Sequence, residues 1–389
     1  MSSQDETIFI VFSDDWGEHP SSCQHLFKCI GSRYRTLWIN TVGLRTPKLS
    51  RTDIDKAIHK IRRMFTRKIT PCSSKKLPDE LTVVQPFMLP FQNVRYVRHL
   101  NKISVRRAIQ RFIHTQQIYK YIVTLVTAPN GCDYVGLFDE NKIVYYCVDD
   151  FSEWPGHDKR LILEMEDALI SKSDLFFATA DTLFTKLKKY GKPVFSFSHG
   201  VDVELFSNLP GRNHHWLDNI PRPIVGYFGL FDDRSDQKLL ADTAKNHPDV
   251  SFVITGNVVT DVTLLEKEPN VYFTGPVPYQ SLPAIVAGWD ICMLPYKMNA
   301  LTESINPLKL KEYIATGKPV ISTPLPEVVS LSQWIHIHSG QDEWRKAITQ
   351  ILSGKELTGN CEERRQFIHE HSWENKALFM LDKIFEQIG

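Results

Sequence analysis

The sequence predicts an α/β protein made of two doubly wound domains, and three observations carry that expectation. Short apolar runs rich in β-branched and aromatic residues alternate with helical patterns along the whole chain, as in parallel sheets covered by helices on both faces. The alternation is interrupted by FSNLPGRNHHWLDNIPRP at residues 206–223, whose Pro, Gly and Asn content is that of a linker. The length, 389 residues, is enough for two domains with a core each.

Strands are expected over 7–13, 36–42, 81–85, 121–127, 143–148, 175–180 and 194–198 in the first half. In the second half they are expected over 224–228, 251–255, 271–274, 291–294, 320–322 and 335–337. This gives a first domain over 1–204, a linker over 205–222 and a second domain over 223–372. Residues 373–389 read as a helix returning to the first domain, with Leu378, Leu381, Phe385 and Ile388 at helical spacing on a core stripe. The loop after the first strand is SDDWGEHPSS rather than Gly-x-Gly-x-x-Gly, which argues against a conventional dinucleotide-binding half. In open sheets ligands bind outside the carboxyl ends of the strands, so the unusual loops of both domains are expected to face a shared cleft.

The most informative segment is NPLKLKEYIATGKPVIST, residues 306–323. Asn306 suits an N-cap, Pro307 the first helical position, Gly317 the position past the end, and Pro319 blocks continuation. A helix over 307–316 is therefore predicted, followed directly by a buried strand. Lys309 and Lys311 lie near its start, where the macrodipole disfavours cations by a few tenths of a kcal/mol. A bound anion would resolve that conflict. Lys309 and Glu312 share a face, so an amine for phosphate and a carboxylate for hydroxyls would point the same way, a pairing suited to a nucleoside diphosphate and its ribose.

The net charge is +1, but residues 45–111 hold 17 Lys/Arg against 4 Asp/Glu, an excess of +13 that leaves −12 for the rest. Such a sector attracts phosphates, and without a nucleic-acid motif an anionic membrane surface or phospholipid-linked acceptor is expected ahead of nucleic acid. Arg62, Arg63, Arg106 and Arg107 would touch the headgroups. The seven cysteines are scattered, with no Cys-x-x-Cys pair, and read as reduced core residues of a cytoplasmic protein with no zinc site. Neither a leader ahead of the first strand nor an apolar run of ~18 residues is evident, so the chain is expected to be soluble or peripheral on the inner face of the membrane.

Several segments together resemble the two-Rossmann-domain (GT-B) glycosyltransferases, in particular the family 4 and family 1-like enzymes of bacterial surface-polysaccharide assembly. They are SHGVDVELF (198–206), VGYFGLFDDRSD (225–236), VYFTGPVPYQSLP (271–283), DICMLPY (290–296) and the segment from Asn306 to Val328. DDWGEHPSSCQHL (14–26) and YYCVDDFSEWPG (145–156) look like those of a narrower subgroup. The resemblance implies a second domain that holds a nucleotide-diphosphate sugar, UDP being the commonest donor nucleotide in this fold, with Glu312 on the ribose and the backbone of Ser304, Ile305 and Asn306 on the diphosphate. Gly200 and Gly229 would line the donor site. Arg234, Lys238 and Lys309 would supply cations, Arg234 with Lys309 as the preferred pair. The family pattern has two glutamates eight residues apart, whereas the earlier position here is Ser304, with Glu303 one place upstream.

Glycosyl transfer requires stabilisation of charge on the departing diphosphate, which cations, a helix N-terminus and backbone amides supply without a metal or cofactor. The acceptor hydroxyl must lose a proton, and the first domain offers Asp149 and Asp150 at a strand end, then Asp15 and His19. Each has a plainer reading as a cap, turn or structural hydrogen-bonder. Trp16 and Trp154 would stack on a sugar or close their own loops. The expected activity is sugar transfer to a saccharide or lipid-linked saccharide, with retention of configuration slightly favoured. Two rivals are a nucleotide-sugar 2-epimerase, which would not need the basic sector, and a non-catalytic nucleotide-sugar-binding scaffold, which the Ser304 departure keeps open.

Overall fold

The computed structural model describes residues 6–18, 21–44, 77–116, 119–211, 217–354 and 361–388. The chain divides into two compact units, one of Met1–Ser198 with Lys376–Gly389 and one of His199–Asn375.

The first unit is built on a seven-stranded sheet of β1 (Thr7–Ser13), β2 (Arg35–Asn40), β3 (Leu81–Val84), β4 (Tyr121–Val126), β5 (Lys142–Cys147), β6 (Leu175–Ala178) and β7 (Val194–Ser196). Its order is β3-β2-β1-β4-β5-β6-β7, with parallel pairing throughout. Every residue of β1 is buried, as a central parallel strand covered on both faces requires, and this explains its unbroken apolar run. Chain order reverses between β1 and β4, so the loops after these strands flank the switch point at which an open sheet forms its crevice.

The C-terminal helix Trp373–Ile388 contributes its residues from Lys376 onward to this unit. Phe379 stacks on Phe197 at 6.0 Å and meets Phe195 edge-on, while Phe385 lies 5.9 Å from Tyr34. The buried stripe is Ala377, Met380, Leu381 and Ile384. Leu378, assigned to the core by its spacing, is instead 52 % exposed. The stripe is rotated towards Ala377, which is buried where Leu378 is not.

The second unit holds a six-stranded parallel sheet of β8 (Ile224–Phe228), β9 (Ser251–Thr255), β10 (Val271–Gly275), β11 (Ile291–Leu294), β12 (Val320–Ser322) and β13 (His336–Ile337), in the order β10-β9-β8-β11-β12-β13. Its switch point lies between β8 and β11. The segment after the expected first-domain boundary is not plain linker, because Asp202 caps a short helix Val203–Ser207 through the Leu205 backbone N–H. Gly226, in the middle of β8, is dictated by packing: a Cβ there would lie 2.0 Å from the ring of the fully buried Trp289. Replacing Gly226 by Ala is therefore expected to destabilise the second unit by about 1–3 kcal/mol through overpacking. A urea midpoint indistinguishable from wild type would show that Trp289 has room to move.

Candidate active site

The strand ends beside the second switch point converge on two glycines. Gly229 follows β8 with φ +114°, and Gly256 follows β9 with φ +141°, a region open to glycine and strained for other residues. A Cβ on Gly256 would fall 2.1 Å from the Gly229 carbonyl oxygen. The close approach of these two loops thus depends on absent side chains.

Behind Gly229 stands Lys309, from the first turn of helix Leu308–Ala315, whose Nζ would be 2.9 Å from a Cβ on that glycine. The ammonium donates to the hydroxyls of Tyr227 at 2.6 Å and Tyr296 at 3.0 Å, and lies 4.1 Å from the Tyr227 ring centroid. Tyr227 in turn donates to the Leu230 carbonyl. The direct hydrogen-bond partners of Lys309 are thus phenols rather than carboxylates. Arg234 differs, because its guanidinium forks onto the Asp232 carboxylate at 2.7–3.0 Å while lying over the Tyr296 ring. Both Arg234 and Lys309 lie over the Tyr296 ring, with Asp232 offsetting the charge of Arg234.

Electrostatics follow from this layout. Burial lowers the Lys309 pKa, and neighbouring Arg234 adds to the effect against the pull of Tyr296. Burial acts to raise the Tyr296 phenol, yet Lys309 and Arg234 outweigh it and hold the group below the ordinary tyrosine value.

Glu312 lies one turn further along the same helix and is only 6 % exposed. Its Oε1 accepts a 2.7 Å hydrogen bond from Tyr279, whose ring meets Phe206 edge-on at 5.7 Å; Phe206 in turn stacks on Phe228. Burial pushes the Glu312 carboxyl up to about 7, against the opposing influence of Tyr279 and Lys309. Helical spacing therefore does place an amine and a carboxylate together. Lys311, also near the helix start, points elsewhere: it is buried and donates to the His199 carbonyl.

The helix start differs from expectation. Pro307 occupies the N-cap position in an extended conformation, no side chain caps the helix, and Asn306 reaches instead to Glu327 at 3.0 Å. The carboxylate of Glu327, brought in by the turn after β12, attracts the amide that would otherwise have capped. Gly317 does take the left-handed conformation past the helix end, at φ +72°. Ser304 ends a short helix Ala300–Glu303 and donates to the Leu301 carbonyl, Ile305 is buried beside it, and Glu303 is exposed. Lys238 is exposed on helix Gln237–Lys245. Gly200 is required by packing, since a Cβ would lie 2.7 Å from the Trp373 ring.

In the first unit, Asp150 uses both carboxylate oxygens. Oδ1 accepts from the Ser152 N–H and hydroxyl, capping a short 3-10 turn, and Oδ2 lies 3.5 Å from Lys186, which also bonds Glu166 at 2.6 Å. The plainer reading fits this residue. Asp149, half-buried, sits beside it at the end of β5, and Asp15 is half-buried after β1; His19 lies outside the described residues. The loop after β1 is organised by Asp14, which the sequence reading passed over: its carboxylate accepts from Ser13, Ser21 and Gln24, while its carbonyl accepts from Trp38. Trp16 packs edge-on against Trp38, and Trp154 stacks near Phe151 and His157. The five cysteines whose side chains are described are free thiols.

The tyrosines at positions 227, 279 and 296 are the site residues that sequence reasoning missed. A signal existed, since a buried phenol needs a hydrogen-bond partner and all three lie in the quoted motifs. A spectrophotometric titration is expected to show one tyrosine ionising below the ordinary tyrosine range. That step should vanish in Tyr296→Phe and move upward in Lys309→Met; an unchanged titration in both would disprove the cluster's charge coupling.

Residues 222–354 match the family model described as glycosyl transferases group 1. Over 184 residues the chain is 29 % identical to TuaH of Bacillus subtilis (strain 168), named as a glycosyltransferase of teichuronic acid biosynthesis; the match covers 45 % of this chain and 46 % of TuaH. The chain thus spans about half the length of this curated relative. Similar solved structures include sucrose-phosphate synthase from Thermosynechococcus elongatus, with TM-score 0.69 at 16 % identity over 98 % of this chain and 99 % of that one. Another is Anabaena HepE in complex with UDP and glucose, with TM-score 0.65 at 13 % identity over 97 % and 98 % of the two chains. At these identities the likeness establishes the fold. Within the second unit, residues 222–354 thus match the glycosyl transferases group 1 model, and the chain shares the α/β fold of these solved glycosyltransferase-like structures, with a parallel sheet in each unit.

Proposed function

We propose that the protein transfers a sugar from a nucleoside-diphosphate donor, UDP-sugar by preference, to a saccharide or lipid-linked saccharide acceptor of a surface polysaccharide. The observation that carries this reading is the Lys309 ammonium beneath the Gly229 turn, one helical turn from the buried Glu312. An anion at the turn meets a cation hydrogen-bonded only to phenols, together with the N-terminal end of helix Leu308–Ala315. A carboxylate on the same helix face accepts from ribose hydroxyls. When the bond from sugar to diphosphate breaks, charge grows on the leaving group, and the cation and amides stabilise it without reorganising.

The UDP preference draws on HepE, solved with UDP-glucose, and the polysaccharide context draws on the name of TuaH. Acceptor binding is assigned to the carboxyl ends of β1 and β5 in the first unit. Asp149 and Asp15 lie at those strand ends as candidate proton acceptors, and the Asp150 carboxylate beside them holds its cap and faces Lys186.

A membrane-facing role for the first unit is proposed from helix Arg95–Thr115. It contains no acidic residue and exposes Arg95, Arg106, Arg107 and Arg111. Tyr96, 69 % exposed, and the exposed Leu100 lie among them. Arg62 and Arg63 lie outside the described residues. Among the described residues no helix is long and apolar enough to cross a membrane.

UDP at 100 times its dissociation constant should stabilise the protein by ~2.7 kcal/mol in a thermal-shift panel with GDP, ADP, CMP and dTDP. The shift should be lost in Lys309→Met and Glu312→Ala; no shift with any nucleotide would overturn the donor assignment. Sedimentation with vesicles is expected to pellet the protein with anionic and not neutral lipid, less so at high salt. Equal pelleting with both would remove the electrostatic reading.

A further inference from the structure

Buried carboxylates are held in place by what hydrogen-bonds them, and Glu312 has a partner that the donor-site reading does not use. Tyr279 lies in the short 3-10 turn Tyr279–Ser281 after β10, far in sequence from Glu312, yet its hydroxyl is 2.7 Å from Oε1. Its ring is fixed by Phe206, which is fixed by Phe228 at the end of β8. The phenol therefore has little freedom to leave the carboxylate. Among the described residues no other donor reaches Glu312, so Oε2 remains for hydroxyls of a ligand.

We propose that Tyr279 is a positioning residue of the donor site, which holds Oε1 of Glu312 so that the carboxylate stays ionised and presents Oε2 to the ribose. The proposal rests on the reading of Glu312 as the ribose-binding group. Three titratable groups face this carboxyl: Tyr279, Lys309 on its own helix, and Asp202 at the cap of helix Val203–Ser207. Tyr279 and Lys309 favour the charged form, whereas burial and Asp202 oppose it. Removing the phenolic hydrogen bond alone therefore tips Glu312 towards its protonated form, in which the proton competes with the ligand's hydroxyls. Ligand affinity should rise with pH as Glu312 ionises and fall again at higher pH as Lys309 loses its proton.

Calorimetric binding of UDP-glucose tests this, because a diphosphate esterified at both ends does not itself titrate near neutrality. Wild type, Tyr279→Phe and Glu312→Gln would be compared from about pH 6 to about pH 9. Tyr279→Phe keeps the ring against Phe206 and is expected to bind roughly fivefold more weakly at neutral pH, with the rising limb displaced upward and most of the loss recovered at the alkaline end. Glu312→Gln should lose the rising limb and keep the falling one. A Tyr279→Phe loss that is equal at every pH, or no loss at all, would overturn the positioning role and leave the donor site standing. Unaltered UDP-glucose binding by Glu312→Gln would instead sink the donor-site reading itself.

Discussion

The placement of the Lys309 ammonium constrains the turn after β8, two phenols and the start of its own helix at once. The side chain rises from the first turn of its helix into the space that a Cβ on Gly229 would take, and finds two phenols there. Holding a partly buried cation against phenols is less favourable than pairing it with a carboxylate, and the Asp232 carboxylate that also acts on it is committed to Arg234. The arrangement keeps positive charge available at the end of β8. It requires a glycine at 229, hydroxyls at 227 and 296, and a helix that starts at this point and in this direction.

Glu312 is held by the opposite logic. Its charge is opposed by burial and supported by one phenol and by Lys309. Two oppositely charged groups with perturbed proton affinities on one helix face, beside the switch point of a parallel sheet, are what a ligand with an anionic end and a hydroxyl-bearing end selects. Aromatic packing does the mechanical work: Phe206, Phe228 and Tyr279 form a chain of ring contacts ending at the carboxylate. The short helix that bears Phe206 belongs, in sequence, to what reads as linker. In the structure it is part of the wall that supports Glu312.

In the first unit a strand-end acid is engaged by its own loop. Asp150 ends a buried strand beside a loop, as a general base would, but it caps that loop and faces Lys186. Asp14, in contrast, gathers Ser13, Ser21 and Gln24 into one network and so shapes the loop after β1. Neither role is visible in residue type, since both are aspartates just past apolar strands.

The central strands among the described residues were legible because a parallel strand covered on both faces must be apolar, and such runs stand out between helical patterns. Helical spacing on residues 306–316 likewise brought Lys309 and Glu312 to one face, since that period is a property of the backbone itself. What spacing left open was the environment of each group. It could not say that Lys311 would bond a backbone carbonyl while Lys309 reached a glycine, nor that Asn306 would turn to Glu327. Nor could it show that Leu378 would face outward. Tyr227, Tyr279 and Tyr296 join the site through contacts 13 to 82 residues apart in sequence, made only when β8, β10 and β11 and their loops are laid side by side. Local pattern determines which residues share a face; which strand ends become neighbours, and so which charges meet, is settled by the sheet order alone.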